Sequence, residues 1–156
     1  MLVAVSLQAP LPRSALTLFT QTAHREMYDF CFQNIILPSA NKHDFYPLHL
    51  SAFRRMPFVY MYINEKGWAL VLQGLDPEKG PFVEIKYIFV FPQHRRGGFL
   101  RAVHNECART GKRIIATTEK TCMVRALHAL GYKCYGKTSD HKELQFKNTQ
   151  HVHAHG

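Results

Sequence analysis

The chain has 156 residues, 46% of them hydrophobic and 20% charged, which is ordinary usage for one globular domain with a real core. No apolar run reaches the roughly 20 residues that a membrane-spanning helix needs, so the expected setting is the cytoplasm with no membrane partner. Formal net charge is +9 and unevenly placed: residues 1–78 hold 6 Lys/Arg against 6 Asp/Glu, whereas residues 79–156 hold 14 against 5. A positive second half favours a polyanion, either a phosphorylated small molecule or nucleic acid.

The apolar opening Met1–Leu7 lacks a basic n-region and a small-residue cleavage site, so Leu2–Leu7 is read as a first strand and not as a signal peptide. Pro10 and Pro12 make a stiff connector, and Ser14 is an N-cap candidate. From Leu16 the positions Leu16, Phe19, Ala23, Met27, Phe30 and Cys31 recur at helical spacing, which predicts one or two helices to Asn34, ended by Pro38. Ser39–Asp44 reads as a loop, and Asp44 with Pro47 opens a short helix to Arg55. His43, Phe45, Tyr46, His49 and Phe53 gather in this region.

Pro57–Ile63 and Trp68–Gln73 read as a hairpin closed by Asn64-Glu65-Lys66-Gly67. Gly74–Pro81 reads as a second turn. Val83–Phe91 is rich in β-branched and aromatic residues and reads as a buried strand, stopped by Pro92. Alternation along it predicts Glu84, Lys86, Ile88 and Val90 on one face. A basic turn with the Gly97-Gly98 pair follows, then a helix carrying Phe99, Leu100, Val103 and Cys107 on one side. A strand, a glycine turn and a helix start aim backbone N–H groups at one point, which suits a phosphate. Backbone groups from Arg95 to Leu100 would line it, and Arg95 and Arg96 would add charge-assisted contacts.

The helix runs to Arg109 with a Gly111 stop. Strand Arg113–Thr118, a helix to Leu130, and two closing strands, Tyr132–Lys137 and Glu143–Lys147, complete a single domain over residues 1–147. Asn148–Gly156 reads as a mobile tail; its His151, His153 and His155 lack a rigid scaffold, so no metal site is expected. Cys31, Cys107, Cys122 and Cys134 show no C-x-x-C spacing and are expected as reduced, mostly buried thiols.

Hydrophobic strand, Val90-x-Pro92, Arg95-Arg96-Gly97-Gly98-Phe99-Leu100 and the later Leu130-Gly131-Tyr132 together resemble the GNAT superfamily of N-acetyltransferases. Arg95 and Gly98 match the first fixed positions of that family's Gln/Arg-x-x-Gly-x-Gly/Ala loop, and Leu100 stands at the third. The resemblance covers roughly Phe58 to Phe146, with the N-terminal third matching in element order only.

The resemblance implies an α/β fold: a mixed, mostly antiparallel twisted sheet with helices on both faces. It implies acetyl-CoA as acyl donor and an amine on a small molecule or protein as acceptor. Phe89, Val90 and Phe91 would pair with the pantetheine arm, and Arg95, Arg96, Gly97, Gly98, Phe99 and Leu100 would hold the pyrophosphate. Glu84 occupies a position where many members carry a carboxylate, which makes it the candidate general base. The region of His43 to Phe53 would wall the acceptor groove. Leu127, followed by His128, stands where a tyrosine is common, and the usual asparagine is missing near Thr121.

These departures define a second expectation: a GNAT-fold chain without turnover, serving as a binding or assembly component, of the kind met in phage-like genomes. Nucleic acid and a second copy of the chain are the further partners this reading admits. A basic nucleic-acid-binding domain with no CoA role is disfavoured, because neither an RRM-type aromatic motif nor a helix-turn-helix is recognisable.

Overall fold

Seven strands make one sheet in a computed structural model of the chain, which describes residues 16–42, 47–118, 121–137 and 144–148. The strands are β1 (Thr17–Thr20), β2 (Val59–Asn64), β3 (Gly67–Asp76), β4 (Gly80–Val90), β5 (Arg113–Thr118), β6 (Tyr132–Lys137) and β7 (Leu144–Asn148). Their order is β1-β2-β3-β4-β5-β7-β6, and every neighbouring pair is antiparallel except β4–β5. The parallel pair needs a crossover, and the helix α4 (Phe99–Ala108) supplies it. The N-terminal helical region comprises α1 (Arg25–Cys31), a π-helical segment (Phe32–Ile36), α2 (Leu37–Lys42) and α3 (Pro47–Phe53); α5 (Thr121–Ala129) lies between β5 and β6.

Two apolar layers sandwich the sheet. On the first face Tyr28, Cys31, Phe32, Ile36 and Leu50 pack on Trp68, Leu70 and Phe89. On the second, Phe99, Val103 and Cys107 of α4 and Leu127 of α5 pack with Val71, Val83, Ile85, Ile114 and Tyr132. Phe99, Val103 and Cys107 recur every four positions, so one stripe of α4 is buried. The expected α/β architecture, with helices on both faces of a mostly antiparallel sheet, is therefore what the chain forms.

Local expectations changed in the N-terminal third. Leu16–Thr20 does not begin a helix: Thr17 to Thr20 pair with Ile63 to Tyr60 as an outer strand. Two β-branched threonines and an available edge outweigh the accidental 3.6 period. The Thr20 carbonyl and Oγ1 then accept the N–H groups of His24 and Ala23 and open α1. Pro38 does not stop the helix either, and Ser39–Lys42 is helical where a loop was expected. Leu37 N–H donates to the Phe32 carbonyl, five residues back; widening the turn just before Pro38 accommodates a ring that would crowd an ordinary α-turn.

The second turn is shorter than Gly74–Pro81. β3 and β4 pair as far as Asp76↔Gly80, because the Asp76 carboxylate accepts the N–H groups of Glu78 and Lys79 and closes the turn tightly. Cys31 and Cys107 are buried, with thiols pushed up to about 12 by burial, whereas Cys122 and Cys134 are exposed. The Leu2–Leu7 strand, Ser14, Asp44, the cluster members His43, Phe45 and Tyr46, and the histidine tail lie outside the described residues. No helix among the described residues is long and apolar enough to cross a membrane.

Candidate functional site

The site begins with a break in the sheet. β5 pairs with β4 only from Phe82↔Arg113 to Ile85↔Ala116. On its other side, β4 shifts register against β3 at the same place: Leu70 faces Tyr87 but Val71 faces Ile85, leaving Lys86 as an extra residue. Such a bulge bends a strand and inverts its alternation. Consequently Ile88 and Val90 lie on the second face with Val83 and Ile85, and Glu84 lies on the first face beside Leu72 and Tyr87. The expectation that Glu84, Lys86, Ile88 and Val90 share a face is corrected: one inserted residue changes the parity.

Beyond the bulge the strand has a ladder on one side only. Phe91 N–H donates to the Lys66 carbonyl at 2.8 Å, so alternation turns the amide edges of Val90 and Ile88 away from β3. They face the gap that β5 vacates. An extended chain entering this gap would meet the edges as one strand meets another.

The glycine turn closes the same gap. After a short 3-10 turn (Pro92–His94), Arg96 takes a left-handed φ of 66° and Gly98 one of 83°. A Cβ built on Gly98 meets no protein atom within 4 Å, whereas one on Gly97 would stand 2.9 Å from the His94 carbonyl oxygen. Gly98 caps α4, and no side chain caps that end. The first helical turn therefore offers N–H groups with no partner inside the helix, backed by the positive end of the helix dipole.

Together these parts bound a cleft of about 670 Å³. Ile88, Phe89 and Val90 form one wall, Arg95, Arg96, Gly98, Phe99, Leu100 and Arg101 the end, and Cys122, Met123, Ala126, Ala129 and Leu130 the other wall. Among the described residues three arginines and no carboxylate line it, so it suits an anion joined to a long, largely apolar body. Seven of the nine residues expected to hold a cofactor line the cleft. Phe91 instead packs against Phe89 in the first layer, with ring centres 5.7 Å apart, and Gly97 accepts a hydrogen bond from Lys66 Nζ. Leu100 lines the cleft and also packs on the second layer.

Glu84 is not in the cleft lining. Its Oε2 accepts a hydrogen bond from Thr117 Oγ1 at 3.2 Å and lies 4.0 Å from Lys86 Nζ. β5 leaves β4 after Ile85, so the gap between the strands opens one residue past Glu84. Phe53 meets Tyr87 edge-on at 5.3 Å on this face. Leu127 is buried in the second layer, His128 is exposed, and neither lines the cleft.

Sequence reasoning missed Arg101 and the whole α5 wall. Cys122, Ala126 and Ala129 recur at i, i+4 and i+7; this small-residue stripe was the available signal, and it reads as surface until a cleft is seen beside it.

No family model matches the chain, and no curated protein matches it by sequence. Solved structures do match in fold. An acetyltransferase from Thermus thermophilus superposes with a TM-score of 0.59 at 12% identity, over 85% of this chain and 96% of that one. A protein from Desulfovibrio desulfuricans assigned to the GNAT family of acetyltransferases gives 0.57 at 14% identity, with the same coverage. Arabidopsis thaliana NAA60 in complex with acetyl-CoA gives 0.54 at 10% identity, again over 85% and 96%. The chain has the GNAT fold, at an identity that speaks for the fold alone.

Proposed function

We propose that this GNAT-fold chain is an N-acyltransferase that moves an acetyl group from acetyl-CoA to an amine. The observation that carries the proposal is the meeting, at one cleft, of a half-paired β4, a left-handed glycine turn and an uncapped helix start, ringed by three arginines. Relatives in fold, NAA60 among them, hold acetyl-CoA. The open space at Gly98 and the donor set of amides and guanidinium groups suit a pyrophosphate.

Bound acetyl-CoA supplies an activated thioester carbonyl. The amides from Gly98 to Arg101 hold the phosphates, and the amide edges of Ile88 and Val90 orient the extended arm beside β4. Glu84 Oε2 takes the amine proton through water from the first face, which leaves the nitrogen lone pair free to attack. Thr117 Oγ1 keeps that carboxylate in place. Phe53 and Tyr87 belong to the acceptor side.

A second reading, a chain with this fold that binds without turnover, is favoured by one feature. Among the described residues, the cleft lining carries no tyrosine, serine or threonine to protonate the departing thiolate. Calorimetric titration with acetyl-CoA, followed by free-thiol release assayed against a panel of amines, separates the two. Binding and amine-dependent thiol release support the enzyme. Binding without release favours the second reading, and absence of binding at millimolar acetyl-CoA sinks the first. Duplex DNA binding with a steep log–log salt slope, indifferent to CoA, would assign the basic half to nucleic acid instead.

A further inference from the structure

We infer that Lys66, on the turn between β2 and β3, is a positioning residue that locks the glycine turn in its anion-binding conformation. The inference rests on the reading of the cleft as a CoA site.

Lys66 touches the cleft apparatus at two points and is itself anchored at a third. Its Nζ donates to the Gly97 carbonyl at 2.9 Å, across 31 positions of sequence. Its own carbonyl accepts the Phe91 N–H at 2.8 Å, which ties it to the end of the cleft strand. Its N–H donates to Asn64 Oδ1 at 2.8 Å, and Asn64 is the one buried polar residue of the described chain, 2% exposed. Neither Glu65 nor Lys66 takes a positive φ, so this two-residue turn is not of a primed type, and the Asn64 side chain is what closes it. The ammonium group is thus delivered from a fixed backbone.

The lock is needed because the turn is permissive. Arg96 and Gly98 hold positive φ on either side of Gly97, and peptide planes flanked by glycine reorient easily. In a planar trans peptide the C=O and the next N–H point in opposite directions. Holding the Gly97 carbonyl toward Lys66 therefore turns the Gly98 N–H away from it and keeps a carbonyl oxygen from facing the anion. A flipped plane would present that oxygen to the phosphate and withdraw a donor.

The test compares the full chain with Lys66→Met, Lys66→Arg and Lys79→Met, the last an exposed lysine on the β3–β4 turn that controls for net charge. CoA affinity is read by calorimetry, and hydrogen exchange of the Gly97 amide, which donates to the His94 carbonyl at 3.1 Å, is read without ligand. Lys66→Met is expected to weaken CoA about tenfold or more and to speed exchange at that amide. Lys66→Arg restores most of both, and Lys79→Met changes affinity less than about twofold.

CoA affinity unchanged in Lys66→Met overturns the inference. So does weakened affinity with unaltered exchange, which would make Lys66 a direct ligand, or an equal loss in Lys79→Met, which would reduce it to bulk charge. Wild-type protein that fails to bind CoA overturns the cofactor reading itself, and the role of Lys66 falls with it. Should Lys66→Met not fold, Lys66→Gln carries the same comparison.

Discussion

Arg95 turns back on the strand it follows: its Nε donates to the Val90 carbonyl at 3.1 Å, and its guanidinium carbon lies 5.8 Å from the centre of the Phe89 ring. The contact fills the carbonyl that Val90 directs away from β3, and it leaves the outer guanidinium nitrogens for an anion. Arg95→Lys keeps the charge but loses the fixed Nε–H and the planar stacking. CoA affinity is expected to fall roughly tenfold, nearly as far as in Arg95→Ala. Wild-type affinity in the lysine variant would show that only charge matters at this position.

Arg96 offers a separation of stability from binding. Its φ of 66° strains an L-residue, at a cost of about 1–2 kcal/mol, of which glycine's extra chain entropy cancels roughly half. Arg96→Gly is expected to raise the melting temperature by about 2 °C while weakening CoA several-fold through lost charge. Thermal unfolding and titration on the same preparation read both signs. A lower melting temperature would mean that the Arg96 side chain contributes to folding.

Gly98 carries a φ of 83° with open space where a Cβ would stand. Gly98→Ala should cost about 1 kcal/mol of stability from backbone strain and only a modest share of CoA affinity. Gly98→Asp adds a carboxylate where phosphate is expected, and affinity should drop about 100-fold or more. Equal affinities for the two variants would place the phosphate elsewhere.

Glu84→Gln keeps the shape and the Thr117 contact while removing the proposed base. Turnover is expected to fall about 10²-fold with acetyl-CoA affinity little changed, since the variant leaves the cleft lining untouched. Near-normal turnover would return Glu84 to a purely structural pairing with Thr117 and Lys86.

Asp76 links the β3–β4 turn to acid sensitivity. The N–H groups of Lys79 and Glu78, then the Arg113 guanidinium at 3.7 Å, hold its carboxyl below the ordinary carboxylate range. A group with a lowered folded pKa stabilises above its unfolded pKa, near pH 4, and that stability is lost as pH falls through the folded value. Asp76→Asn should therefore flatten the decline of melting temperature between roughly pH 5 and pH 2. A variant whose acid profile overlays wild type would remove Asp76 from that decline.

What the sequence made legible follows from the range of the forces involved. The glycine turn and α4 are set by local pattern and stand where spacing predicted, and β4 does so apart from beginning three residues earlier, at Gly80. The bulge at Lys86 is invisible from one strand, since register is decided by the partner. Thr17–Thr20 carried conflicting local signals, and pairing with β2 settled them. Pro38 is a helix breaker by intrinsic preference and is tolerated only because the preceding turn widens. Lys66 left no trace in the sequence, because a hairpin gripping a distant loop is a purely tertiary event.

The chain contains one tryptophan, and its place gives the molecule an optical reporter. Trp68 is fully buried, faces Phe89 across the β3–β4 ladder, and stacks with its ring centre 6.0 Å from that phenylalanine's. Phe89 in turn lines the cleft and carries the Arg95 guanidinium. The indole is thus one ring removed from whatever displaces that arginine. Burial predicts a blue-shifted emission in the folded chain, and a ligand entering beside β4 is expected to alter its quenching without any label. Excitation selective for indole reads occupancy and unfolding from a single fluorophore, on a chain whose other aromatic residues are tyrosine and phenylalanine.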